Sequence, residues 1–312
     1  MNLNFSDIKV LLIGDFMLDH YVQGASYRKS PEAPVPVVVP IKEHSFPGGA
    51  GNVALNLCAL GAKVDCFGEI GNDRWGKKLV SILNRHGANT ENLELSENRN
   101  TTVKERIFLN DKQLIRLDRD YLSKQFTCIL NSKYLQMDLN QYDACIFSDY
   151  KKGTVRVLGP ELSNTASLVF VDPKESDFSL YKGADFITPN FNELKNVSII
   201  DNLKDNSKSI IAACKKIIHA YDLGAIVAKR GDKGMIVVDN NDNVHIISAH
   251  KVEKVDVTGA GDTVIAAFAL AFSKTKKIVD AAKFANAAAA VIVQKAGTKT
   301  ASIDEIGQLF SK

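Results

Sequence analysis

Cysteines are few, and nothing in their arrangement suggests chemistry. Cys58, Cys66, Cys128, Cys145 and Cys214 are odd in number, scattered and mostly set in apolar runs, with no CxxC spacing. That argues against a disulfide framework or a zinc site and fits buried, reduced thiols. No stretch approaches 18 apolar residues, and the start MNLNFSDIKVLLIGD has no basic region ahead of an apolar one. Neither a membrane span nor an export signal is therefore expected, and the expected compartment is the cytoplasm. Long blocks of one charge are missing too. The 39 Lys and Arg alternate with 36 Asp and Glu for a formal net charge of +3, which leaves no footprint for nucleic acid. Without repeats, low-complexity tracts or a linker, the 312 residues are expected to form one domain, 1–312, carrying a small lid.

What is present is a rhythm of strand-length apolar runs and helical stretches. KVLLIGD (9–15), KVDCFGEIG (63–71), DACIFSD (143–149), SLVFVD (167–172), ADFIT (184–188) and GAIVAKR (224–230) alternate with helical segments such as GAGNVALNLCALG and one near 74–86. Such β-α-β-α order predicts an α/β fold, a mostly parallel sheet covered by helices on both faces. Two pieces break the order. VPVVVPI (35–41), approached through SPEAPVP, has prolines where a central strand needs amide donors, so it reads as an edge strand or an excursion. TVKERIFL (102–109) and QLIRLD (113–118), joined by NDK, read as a half-polar hairpin. Together they predict a small β-lid from about 20–42 and 100–120, whose edges would cover a cleft or pair with a second copy.

The chemistry-bearing turns fall after predicted strands or before predicted helices. DVTGAGDTVIAAF (256–268) has Gly259, Ala260 and Gly261 leading into a helix start whose free amides favour an anion. It lacks the GK[ST] ending of a P-loop and has Asp262 instead, which is either a helix cap or a base placed beside the anion hole. PGGAGNVALNL (47–57) opens another helix with Gly48, Gly49 and Asn52; it does not match GxGxxG and is also compatible with a plain helix entry. GDFMLDHY places Asp15 and Asp19 just after the first strand, where carboxylates can grip sugar hydroxyls or simply be solvated. PNFNE offers Asn190 and Glu193, the latter suited to hold Mg²⁺ through water, and KRGDKG offers Lys229 and Gly231 at the next strand end.

GDFMLD, PGGAGN, PNFNE, KRGDKG and DVTGAGDT occur in the order seen in the ribokinase-like, or PfkB-type, carbohydrate kinases, and the resemblance covers almost the whole chain. Within that superfamily SPEAPVPVV, QLIRLD, SDYKKG and ANAAAAVIVQKAGT look like the kinase domain of the bifunctional ADP-heptose synthesis protein. The resemblance implies a three-layer ribokinase-like fold, ATP and Mg²⁺ as cofactors, a monovalent cation such as K⁺, and a homodimer through the β-lid. It implies phosphorylation of the anomeric hydroxyl of D-glycero-D-manno-heptose 7-phosphate. By resemblance, Asp262 is the catalytic base and Gly259, Ala260 and Gly261 its anion hole. Asn190, Glu193, Lys229, Gly231 and Asn286 fall at the nucleotide, and Asp15, Asp19, Gly48, Gly49 and Asn52 at the sugar.

Two positions depart from the pattern. Ala50 stands where ribokinases proper often carry lysine, which argues against ribose, and Lys229 replaces the usual small hydroxyl residue. A sugar phosphate also needs a cation; of Arg28, Lys29, Lys104, Arg106 and Arg116, in or beside the lid, Lys104 and Arg106 are the candidates. No HxGH-type nucleotidyltransferase signature follows IGQLFSK, so the expectation is either a stand-alone kinase or a piece of a longer chain. The competing readings are a kinase of a fructose phosphate, ribose or a nucleoside, a non-catalytic sugar-phosphate sensor, and a dinucleotide-dependent oxidoreductase.

Overall fold

β1 (Lys9–Gly14) is apolar along nearly its whole length because both its faces are covered. Val10 and Leu12 face one core while Leu11 and Ile13 face the other. The chain is seen in a computed structural model that describes residues 4–120, 134, 136–155 and 167–310. Cys128 lies outside the described residues; Cys66, Cys145 and Cys214 are buried and in no disulfide, and burial pushes the Cys214 thiol up to about 12.

After β1 come β2 (Phe16–Lys29), β3 (Pro36–Gly49), α1 (Ala50–Ala59), β4 (Lys63–Gly71), α2 (Arg74–Arg85), β5 (Asn89–Ser96), β6 (Thr102–Leu109) and β7 (Lys112–Arg119). Then follow β8 (Ala144–Ser148), β9 (Leu168–Asp172), β10 (Phe186–Ile187), α3 (Phe191–Lys195), α4 (Ser207–Tyr221), β11 (Ala225–Lys229), β12 (Met235–Asp239) and β13 (Val244–Ile247). The described chain closes with α5 (Ala260–Thr275), α6 (Ile278–Ile292) and α7 (Ile303–Phe310).

Nine strands form one sheet in the order β13-β12-β11-β10-β9-β8-β1-β4-β5. It is parallel from β5 through β11, and β12 runs antiparallel to both its neighbours. The half-exposed β5 and the hairpin strands β12 and β13 were not among the predicted sheet strands; polar residues dilute the apolar signal of β5 and β13, while the run MIVVD of β12 is as apolar as that of β11 and could have marked it. From β1 the chain first builds outward to β4 and β5, then returns to add β8 on the other side. β1 and β8 therefore flank the topological switch point, and the crevice beyond their carboxyl ends is where open α/β sheets bind ligands.

α5 packs on this sheet through a ring cluster. Phe268 meets Phe170 and Phe186 edge to face, at 6.0 and 5.2 Å between centroids, and Phe186 meets Phe272 at 4.4 Å. Burying one such ring contributes about 1.5–3 kcal/mol, so the start of α5 is held by its own interior. The helix is buried on nearly all sides, between the sheet, α1 and α6.

β3, β2, β6 and β7 form a second sheet, with β2 antiparallel to β3 and parallel to β6. The lid is longer than the 20–42 segment predicted: β2 starts at Phe16, two residues past β1, and β3 runs on to Gly49. GDFMLDHY is thus strand and not loop, since Met17 to Tyr21 pair with β6 on one side and β3 on the other. The proline-bearing β3 is an edge strand, as its missing amides require.

Candidate active site

Asp262 sits in the first turn of α5, behind a glycine in the left-handed region. Gly259 caps the helix with φ 79° and offers no side-chain bond, and the Asp262 carboxylate is not spent on capping either. Asn52 Nδ2 donates to its Oδ2 at 2.7 Å, and the Tyr150 hydroxyl donates to its Oδ1 at 2.5 Å. Glycine is needed at 259 for this: a Cβ there would lie 2.6 Å from Asn52 Nδ2. Asp262 is only 6% exposed, and burial pushes its carboxyl up to about 6, against the hydrogen bonds from Tyr150 and Asn52. A carboxylate poised there is matched to taking a proton near neutral pH. The predicted anion hole is narrower than three amides, because the Ala260 N–H turns back to the Val257 carbonyl at 3.3 Å. Gly261 and Asp262 follow it in the turn, where N–H groups have no preceding helical carbonyl to bond.

The switch point is stitched by Asp15, which is 2% exposed. One carboxylate oxygen accepts the amides of Tyr150 and Lys152 at 2.9 and 2.8 Å, and the other accepts that of Thr154 at 3.0 Å. The sequence reading put Asp15 beside the sugar; the structure shows it bonded to three amides of this turn. Both of its oxygens help to shape the turn after β8.

Asp19 lies four residues further on, inside β2 of the second sheet. It pairs with Arg106 Nη1 at 2.5 Å, so the predicted sugar-gripping acid and the predicted phosphate-holding cation neutralise each other. Lys104 and Arg106 stand two residues apart on β6, on one face, and Lys104 Nζ lies 5.6 Å from the Tyr150 ring centroid. Gly48 backs this group: a Cβ there would come within 2.5 Å of Asp19 Oδ2. Gly49, at φ 55°, turns the chain from β3 into α1 and so places Asn52. Arg28 and Lys29 are exposed at the far end of β2, and Arg116 pairs with Asp118.

On the opposite side of Asp262 lies a cleft of about 1090 Å³ lined by Asn190, Lys229, Gly231, Ala260, Gly261 and Asn286, with Val257, Val264 and Ala290 among its apolar residues. Every residue predicted for the nucleotide except Glu193 lines it. Lys229, at the end of β11, aims its ammonium at the glycine turn, where a Cβ on Gly261 would lie 3.4 Å from Nζ. It is paired with Asp172 at 2.6 Å, and Asp172 also accepts from the Thr188 hydroxyl at 2.8 Å. Burial works to lower the Lys229 pKa, but the carboxylates of Asp172, Glu193 and Asp262 overrule it and the net shift is upward. The lysine that the glycine turn lacks in sequence is thus delivered from a neighbouring strand. Asn286 donates to the Ser248 carbonyl at 2.9 Å on the cleft wall.

Asn190 and Glu193 make a complete capping box at α3: Asn190 Oδ1 accepts the Glu193 amide, and Glu193 Oε2 accepts the Asn190 amide at 2.7 Å. Glu193 Oε1 takes the half-exposed Lys174 at 3.0 Å. Among the described residues no group of three or more His, Cys, Asp or Glu could hold a metal directly.

The model of the pfkB family carbohydrate kinases matches residues 7–305. The chain belongs to that family. A PfkB carbohydrate kinase is a phosphotransferase acting on a sugar, in a family of ATP-dependent kinases. The chain is similar to the bifunctional protein HldE of Sulfurimonas denitrificans, 42% identical over 310 residues that cover 96% of this chain and 63% of that protein. It is 37% identical to HldE of Helicobacter pylori, covering 97% and 66%. The chain spans about two thirds of the length of the curated relatives it matches. Solved structures share the ribokinase-like fold. Escherichia coli phosphofructokinase-2 in complex with potassium has a TM-score of 0.79 at 18% identity, covering 97% and 98% of the two chains. Arabidopsis thaliana ribokinase complexed with ribose and ATP has a TM-score of 0.76 at 19%, covering 98% and 99%. Among the described residues no helix is long and apolar enough to cross a membrane.

In this PfkB fold, sequence reasoning missed Tyr150 and Asp172. Asp172 ends the parallel strand β9 and Tyr150 lies in the turn two residues past the end of β8, and that position at the ligand edge was the available signal.

Proposed function

We propose that this chain transfers the γ-phosphoryl group of ATP to the anomeric hydroxyl of D-glycero-β-D-manno-heptose 7-phosphate, giving the 1,7-bisphosphate used in building lipopolysaccharide core. The observation that carries the kinase reading is Asp262, a buried carboxylate held by two donors between the nucleotide-sized cleft and the lid. The heptose phosphate is supported by the resemblance of the lid and turn motifs and by the HldE relatives at 35–42% identity. Asp262 takes the proton of the acceptor hydroxyl. Lys229 and the amides after Ala260 face the charge on the transferred group, and Asp19, Asn52, Lys104 and Arg106 orient the sugar phosphate, with Arg106 passing from Asp19 to the phosphate as the acceptor enters. Mg²⁺ bound with the nucleotide would neutralise phosphate charge, with Glu193 holding one of its waters.

A coupled ADP-release screen across phosphorylated sugars, run with and without K⁺, tests this. Heptose 7-phosphate is expected to be the best acceptor. Preference for a fructose phosphate, ribose or a nucleoside would move the substrate elsewhere in the family, and absence of turnover with every sugar would revive the sensor.

The lid also carries the proposed homodimer contact. Val39, Ile41, Leu114, Ile115 and Leu117 are exposed on its strands, with Ile41 at 71%. Such a surface on an open sheet is expected to be covered by a second copy. Light scattering should give twice the chain mass, and Ile41→Lys with Ile115→Lys should give a monomer; a native monomer would refute it.

A further inference from the structure

The Tyr150 backbone is held more firmly than a loop residue needs to be, and its hydroxyl ends on the Asp262 carboxylate. Its amide is bound by Asp15, the next amide but one by the same oxygen, and the Lys151 amide by Asp149 at 2.7 Å. Lys151 adopts φ 57°, a left-handed turn that this set of bonds stabilises. Asp149 is anchored in turn by the Tyr181 hydroxyl. The whole turn bridges β1 and β8 at the switch point, so the phenol is presented from a rigid base. Its ring is also within cation–π reach of Lys104 on the lid strand β6.

From this geometry we infer that Tyr150 is a positioning residue for the base, fixing the rotation of the Asp262 carboxylate and stabilising its ionised form. The inference rests on the reading of Asp262 as the base. Asn52 alone holds one oxygen and would leave the carboxylate free to swing about that bond. The Tyr150 hydroxyl on the other oxygen removes that freedom and leaves lone pairs on both for an entering hydroxyl. Burial, together with the carboxylates of Asp262, Asp172 and Glu193, holds the Tyr150 phenol well above its usual range, so it stays a donor throughout the working pH. The charged groups around Asp262 itself are Asp172, which favours its protonated form, and Lys229, which favours the carboxylate.

Tyr150→Phe keeps the ring, the Lys104 contact and the turn, and removes only the donor. A hydrogen bond to a carboxylate is strong enough that its loss should move the acid limb of the kcat profile upward by about 1–2 pH units and lower kcat at pH 7 by about two- to tenfold. The KM for ATP should stay unchanged. Replacing Tyr150 by 3-fluorotyrosine, a stronger donor, should move the same limb downward. An acid limb that stays in place in both variants overturns the proposal. Asp262→Asn measured beside them separates the two readings. If it is inactive while Tyr150→Phe is unaltered, only the role of Tyr150 fails. If it retains native turnover, the base assignment itself fails.

Discussion

Asp262→Asn is expected to lower kcat by about 10²- to 10⁴-fold while the affinities for ATP and sugar stay within a few-fold. The amide keeps the shape and most of the contacts of the carboxylate. Its oxygen can accept from Asn52, and its nitrogen can donate to the Tyr150 hydroxyl, which accepts as readily as it donates. What it cannot do is take a proton. The native pH profile should show an acid limb near 6, because the base works only when ionised and burial has raised it to about that value. The limb should disappear in the variant. Calorimetric titration with each substrate, alongside steady-state kinetics across pH 5–9, checks both halves. Turnover within about threefold of native would sink the assignment.

Lys229→Met is expected to lower kcat by about 10²- to 10³-fold, the scale of losing one charged group aimed at a reacting centre. It also strands a buried carboxylate. Asp172 is left with the Thr188 hydroxyl alone, and an uncompensated buried charge destabilises by about 3–5 kcal/mol. Stability and catalysis can be separated by removing that charge. Asp172→Asn combined with Lys229→Met should recover most of the melting temperature and none of the rate. A double variant with native turnover would show that Lys229 serves only the fold.

The two results bear on one question, how a glycine turn without a P-loop lysine handles a phosphoryl group. The turn at 259–261 brings amides and a base on one short segment, and β11 brings the cation. On the proposed reading, separating them lets Asp262 stand as the base where a lysine on the same turn would quench it.

The strand and turn order was legible in the chain because it rests on local signals: apolar runs for β1, β8, β9 and β11, glycines before α1 and α5, prolines in β3. The site was legible in part for the same reason. Asp262, Asn52, Lys229 and Asn190 each sit at the start of a helix or the end of a parallel strand, positions that motif order can mark. Asp15 has the same kind of position and a different use, since whether its carboxylate meets a sugar or three amides depends on the turn after β8.

By itself, then, the sequence determined which residues reach the carboxyl edge of the sheet, because helix starts and strand ends are fixed by neighbours a few positions away. Only the tertiary structure decided which of them touch. Tyr150 meets Asp262 across 112 residues, Asn52 meets it across 210, and Lys229 meets Asp172 across 57. Those pairs are set by the order in which strands are added on either side of β1, and no local pattern encodes that order.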